Sequence, residues 1–176
     1  MRGAPPSFAC AAVAVRPMRD HVRVARIHEN GPPIRVDDAA RSRLRDALDR
    51  DGVVSASLFG SQAAGTAGAL SDVDIAVWLD PELSDSERFR LRLELIGRAA
   101  SALGTNEVDL VVLNDAPPLL KHRALSSRAL LVDRDAVRRL RLESRAVAEY
   151  LDTKPLRDRL TRAMRGRLAE GRFGRR

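Results

Sequence analysis

Leu58-Phe59-Gly60-Ser61-Gln62-Ala63-Ala64-Gly65-Thr66-Ala67-Gly68-Ala69-Leu70-Ser71-Asp72-Val73-Asp74-Ile75-Ala76-Val77-Trp78-Leu79-Asp80 decides how this chain is read. A short apolar run ends at Gly60-Ser61, and ten residues later Asp72-Val73-Asp74 opens a second apolar run. The first half suits an anion: glycine permits close backbone approach, and a hydroxyl with free N–H groups can face a phosphate. The second half suits a hard cation. Side chains alternate along a strand, so Asp72 and Asp74 share one face. Two carboxylates on a rigid face match what Mg²⁺ uses when it also holds substrate phosphates. Together they read as metal-assisted attack on a nucleoside triphosphate.

Gly60-Ser61, ten residues, then Asp72-x-Asp74 resembles the signature of the DNA polymerase β-type nucleotidyltransferases. That pattern adds a third carboxylate on a later strand, and Glu107-Val108-Asp109-Leu110-Val111-Val112-Leu113 supplies it. Glu107 and Asp109 share a face two residues apart, so the residues alone leave both open; the family pattern favours Asp109. The chain's shortness and Tyr150-Leu151-Asp152-Thr153-Lys154-Pro155-Leu156-Arg157 resemble the minimal nucleotidyltransferases (MNT), often antitoxins paired with helical HEPN toxins. The resemblance spans roughly residues 35–172. Gly-Ser and Ser-Asp are common turn pairs singly, but agreement of three separated features is far more specific.

A length of 176 residues fits one domain with a core. With 44% hydrophobic and 31% charged residues, the composition is that of a soluble globular protein. Cys10 alone excludes an internal disulfide framework and a Cys-rich zinc site. No apolar run reaches the ~18 residues of a membrane span. Phe8–Val15 is a weak apolar stretch without a clean cleavage site, so a cytoplasmic protein is expected. Net charge is +7, yet residues 121–176 hold 17 Lys or Arg against 7 Asp or Glu. Such asymmetry suggests that the C-terminal part meets an anionic surface, nucleic acid or an acidic protein partner. Nucleic acid is less favoured, because no aromatics interleave with the basic residues.

Along the chain, residues 1–34 read as a flexible leader rich in Pro and Gly, 35–134 as the nucleotidyltransferase core, 135–172 as C-terminal helices, and 173–176 as a frayed tail. A helix from Asp37 carries Ala40, Leu44, Ala47 and Leu48 on one stripe. Strands are expected at 53–59, 73–79, 108–113 and near Leu130–Val132. Ser84-Asp85-Ser86-Glu87 is a capping box, opening a helix with Phe89, Leu93, Ile96, Ala100 and Leu103 on one face and Gly104 at its end. Pro117-Pro118 starts another helix. Two amphipathic helices follow, carrying Val137, Leu140, Val147 and Leu151, then Leu156, Leu160, Met164 and Leu168, divided at Pro155. The order predicts an α+β domain, a small mixed sheet packed on one side by helices. That agrees with the polymerase β-like fold the resemblance implies.

In nucleotidyl transfer a hydroxyl attacks an α-phosphorus and pyrophosphate leaves opposite, a displacement that two metal ions about 3.5–4 Å apart can stabilise. Asp72, Asp74 and Asp109 are the expected catalytic and metal-binding residues for two Mg²⁺ ions, and Gly60 and Ser61 the nucleotide-binding pair. The resemblance implies AMP transfer from ATP to a hydroxyl of a HEPN toxin, a Tyr above all. Two alternatives are an aminoglycoside-type nucleotidyltransferase and an antitoxin acting by binding alone. One departure matters: many relatives have an Arg just after Gly-Ser, where this chain has Gln62, Ala63 and Ala64. Lys121, Arg123 or a C-terminal cation would have to replace it. His21 and His28 lack ligand spacing, His122 reads as a surface helix residue, and Trp78 as a core-edge aromatic on the Asp-bearing face.

Overall fold

A computed structural model describes residues 36–66 and 71–171. Within them the chain runs α1 (Asp38–Leu48), β1 (Val53–Phe59), α2 (Gly60–Ala63), β2 (Val73–Leu79), α3 (Asp85–Leu103), β3 (Val108–Val112), α4 (Pro118–Ser126), β4 (Ala129–Asp133) and α5 (Ala136–Ala169). The leader, Cys10, His21, His28 and the tail at 173–176 lie outside the described residues. No described helix is long and apolar enough to cross a membrane.

Local chemistry sets the element ends. Asp37 caps α1, its Oδ1 accepting from the Ala40 N–H at 2.7 Å. The capping box at α3 is complete: Ser84 Oγ accepts from the Glu87 N–H, and Glu87 Oε2 accepts from the Ser84 N–H at 2.8 Å. Gly104 ends that helix at φ 67°, a left-handed conformation that an L side chain resists.

The sheet is mixed, in the order β3-β2-β1-β4. β1 pairs antiparallel with β2 and β4, while β2 and β3 run parallel. Leu44 and Leu48 of α1 and Leu95 and Ala99 of α3 bury one face against Leu58, Ile75, Val77 and Leu110. The expected one-sided packing is exceeded. On the other face Ala124 of α4 and Ala146 of α5 pack on Val54, Ala76, Trp78 and Leu113. That second layer covers the Trp78 end of β2, towards which Asp74 and Ala76 lead along the same face.

Three expectations are corrected. Phe89 and Leu93 do not enter the core: they are 60% and 53% exposed, and Leu95 and Ala99 point inwards instead. Pro155 does not divide two helices, because α5 continues through it for 34 residues in all. Proline removes an N–H and crowds the preceding turn at a cost of about 3 kcal/mol. Here Thr153 Oγ1 donates to the Glu149 carbonyl at 2.9 Å, and Arg157 Nη2 to the Tyr150 carbonyl at 2.8 Å. The Arg157 guanidinium also lies 4.0 Å over the Tyr150 ring, binding the two halves across the proline. Finally, the stripes Val137–Leu151 and Leu156–Leu168 face outwards. α5 packs through Ala146 and Leu142, and through ion pairs from Arg128 to Glu143 (2.7 Å) and Arg139 to Asp133 (2.9 Å).

Candidate active site

β1 ends where β2 and β3 begin, and this end of the sheet collects the expected residues. Phe59 of β1 lies opposite Asp74 of β2, and Asp74 lies beside Asp109 of β3. Asp74 occupies the face of Ala76 and Trp78, and Asp109 that of Val111 and Leu113, so both carboxylates stand on the side that α4 and α5 cover only further along. Asp72 precedes β2 by one residue, half-buried. Glu107 immediately precedes β3, and its carbonyl accepts from the Val73 N–H at 2.9 Å.

Gly60 begins α2 at φ 68°. A Cβ there would run into the Asp74 carboxylate, whose Cγ would be 3.2 Å away. Backbone and carboxylate therefore meet at a distance only glycine allows. Ser61 follows, half-buried, with its carbonyl accepting from the Thr66 N–H at 3.0 Å.

Charge at this end is frustrated. Burial pushes the Asp74 carboxyl above its ordinary value, and the neighbouring Asp109 and Asp72 carboxylates push it further. Arg123 of α4 pulls the other way. Arg123 is exposed and, among the described residues, makes no ion pair. Lys121, the other candidate on that helix, is 8% exposed and held 2.9 Å from Glu149 of α5, which fixes it as a helix–helix tie. Gln62, directly after Gly60-Ser61, is buried, and its Oε1 accepts from the Val36 N–H at 3.4 Å. Ala64 is exposed.

Trp78 is a core residue of the second cluster, 4% exposed. His122 corrects its reading as a simple surface residue: its ring stacks on Tyr150 with centroids 3.7 Å apart and planes 13° from parallel. Sequence reasoning also missed the groove beside β3, since it assigned Phe89 to the core. The signal available was the competing Leu91–Leu95–Ala99 stripe on the same helix.

Hard oxygen donors and mutually repelling carboxylates are what a divalent cation neutralises, so the donor set fits Mg²⁺ chemically. Among the described residues no three His, Cys, Asp or Glu side chains already stand in ligand geometry around one point.

The family described as "Polymerase beta, Nucleotidyltransferase" matches residues 43–137, which contain every site residue above. No curated protein sequence matches the chain. Among solved structures, a toxin–antitoxin with AMP-PNP is 25% identical with a TM-score of 0.56, covering 70% of this chain and 97% of that one. An MntA–HpeT toxin–antitoxin mutant is 24% identical with a TM-score of 0.59, over 70% and 97%, and shows the shared fold. A Shewanella oneidensis structure, a tri-AMPylated HEPN toxin in complex with an MNT antitoxin, is 25% identical with a TM-score of 0.50, over 68% and 87%. The matched family covers more than half the chain. The chain belongs to the polymerase β nucleotidyltransferase family.

Proposed function

We propose that this nucleotidyltransferase moves AMP from ATP to a tyrosine hydroxyl of a HEPN-type toxin and thereby acts as its antitoxin. The observation that carries the reading is the close apposition of Gly60, Asp74 and Asp109 across three adjacent strand ends. Support for nucleotide and acceptor comes from the relatives, one solved with AMP-PNP and one with an AMPylated toxin.

In the proposed reaction the acceptor oxygen forms a bond to the α-phosphorus of ATP. The bond from that phosphorus to the bridging oxygen of the β-phosphate breaks, and pyrophosphate leaves with the electron pair. The hydroxyl proton passes to Asp109 or to water. Gly60 and Ser61 hold the β- and γ-phosphates through their N–H groups and the Ser hydroxyl. Asp72, Asp74 and Asp109 would hold Mg²⁺, which supplies neutralisation of the charge gathering on the phosphoryl oxygens.

Arg123 replaces the cation that Gln62 and Ala64 do not provide. Arg123→Ala is therefore expected to raise KM for ATP about tenfold, roughly the 1.4 kcal/mol of one exposed phosphate contact. Adding Ala64→Arg, at an exposed position, should recover part of that loss. Initial rates against ATP concentration check both; an unchanged KM in Arg123→Ala would remove Arg123 from the site.

A second reading, an antitoxin that works by binding alone, draws on the same missing arginine. Intact mass of a HEPN toxin, after incubation with this protein, ATP and Mg²⁺, separates the two. An added AMP for each modified tyrosine supports transfer. A tight complex with unmodified toxin supports binding alone.

A further inference from the structure

The site has a direction. Across the sheet its parts follow in the order Asp109 on β3, Asp74 on β2 and Gly60 after β1. With the β- and γ-phosphates over Gly60 and Ser61, pyrophosphate departs towards β1. In-line attack then brings the acceptor hydroxyl from the opposite side, past Asp109. β3 is the edge strand there, so nothing in the sheet lies beyond it.

A groove of about 620 Å³ occupies that side. Its walls are Phe89 and Arg92 of α3, Val111 of β3, and Pro117 and Leu120 at the start of α4. Val111 follows Asp109 by two residues on the same strand face, about 7 Å along the strand. Phe89 is 60% exposed, although its helix has a well-buried face elsewhere. Arg88 is committed to two carboxylates, Asp85 and Asp115, each at 3.1 Å. Arg92 differs: among the described residues it has no ion pair, and it is exposed. The groove thus offers an apolar wall and one uncommitted cation beside the edge strand of the sheet, a combination that suits an extended peptide.

We propose that this groove docks the acceptor protein through an extended segment beside its target tyrosine. An apolar side chain of that segment packs on Phe89, Val111 and Leu120, an acidic one pairs with Arg92, and the tyrosine oxygen is delivered to Asp109. The inference rests on the transfer reaction proposed above, and it identifies the acceptor as a protein segment with apolar and acidic neighbours around its tyrosine.

Phe89→Glu and Arg92→Glu test it, since both side chains are exposed and the fold does not depend on them. With the HEPN protein as acceptor, kcat/KM for that protein should fall tenfold or more while KM for ATP stays within twofold. A rise in KM for ATP instead would make the groove a nucleoside subsite and overturn the proposal, as would no change in either constant. A second arm does not need catalysis. Benzoylphenylalanine placed at Phe89 should photo-crosslink the HEPN protein, whereas the same probe at exposed Ala39 on α1 should not. Crosslinking from Phe89 without AMP transfer would sink the reaction and keep the docking groove. A complex that forms with no crosslink from Phe89 would sink the groove.

Discussion

Asp74→Asn is expected to abolish AMP transfer while making the metal-free protein more stable. The loss follows from charge: Asp74 is flanked by Asp109 in register and opposed by Phe59 next to Gly60, at the centre of the site. Removing one carboxylate from the cation-binding set should take away about 4 kcal/mol of transition-state stabilisation, roughly a thousandfold in rate. The gain follows from the same crowding. Burial, Asp109 and Asp72 raise the Asp74 pKa in the folded chain, so the folded state holds a proton that the unfolded state has already released. Folding stability therefore falls as pH rises from the ordinary carboxylate value of about 3.9 through the raised folded value, and stays lowered above it. Asparagine carries no such charge. At pH 7 the variant should melt above the wild type, and the difference should vanish in acid below the ordinary value. Added Mg²⁺ should raise the wild-type melting temperature more than the variant's, by mass action on the folded state. Calorimetry across pH, with and without Mg²⁺, reads all three effects; a variant that melts below the wild type at pH 7 would contradict them.

Gly60→Ala should cost both activity and stability. At φ 68° an alanine sits in the left-handed region at about 1–2 kcal/mol, and its Cβ would displace the Asp74 carboxylate. Moving a reacting geometry by even about 1 Å can cost a hundredfold in rate, so a fall of that order is expected. Melting should drop by a few degrees, opposite in sign to Asp74→Asn. The two residues touch, and their effects should not add. In an Asp74→Ala background, Gly60→Ala meets no carboxylate, so its further destabilisation should shrink to the backbone strain alone. Thermal melts of the four proteins in that cycle check the coupling, and strict additivity would argue that the glycine is there for the turn only.

What the sequence made legible was local. The α1 cap, which the residues left between Asp37 and Asp38 and which falls on Asp37, the capping box at Ser84 and the limits of β1 and β2 all depend on neighbours a few residues apart. The choice between Glu107 and Asp109 was not local. The residues alone left both open, and the parallel register of β2 and β3, which sets Asp109 beside Asp74, is something no spacing rule supplies. On α3 two apolar stripes fit one helical period. Only the position of α1 decides that Leu95 and Ala99 turn inwards and Phe89 outwards. Pro155 obeyed its local rule and was overruled by Thr153 and Arg157, whose hydrogen bonds reach back one and two turns. The same holds for cations: nothing in Lys121-His122-Arg123 says that the first is tied to Glu149, the second stacked on Tyr150 and the third left exposed without an ion pair among the described residues.

The central claim, that these strand ends transfer a nucleotidyl group, is tested most directly by the position of the label in ATP. The HEPN protein should become labelled by ATP carrying ³²P at the α-phosphate and not at the γ-phosphate, with γ-label recovered in pyrophosphate, and Asp74→Asn should label nothing. Transfer of the γ-label would mean phosphoryl rather than nucleotidyl transfer and would contradict the account, as would α-labelling that survives in Asp74→Asn.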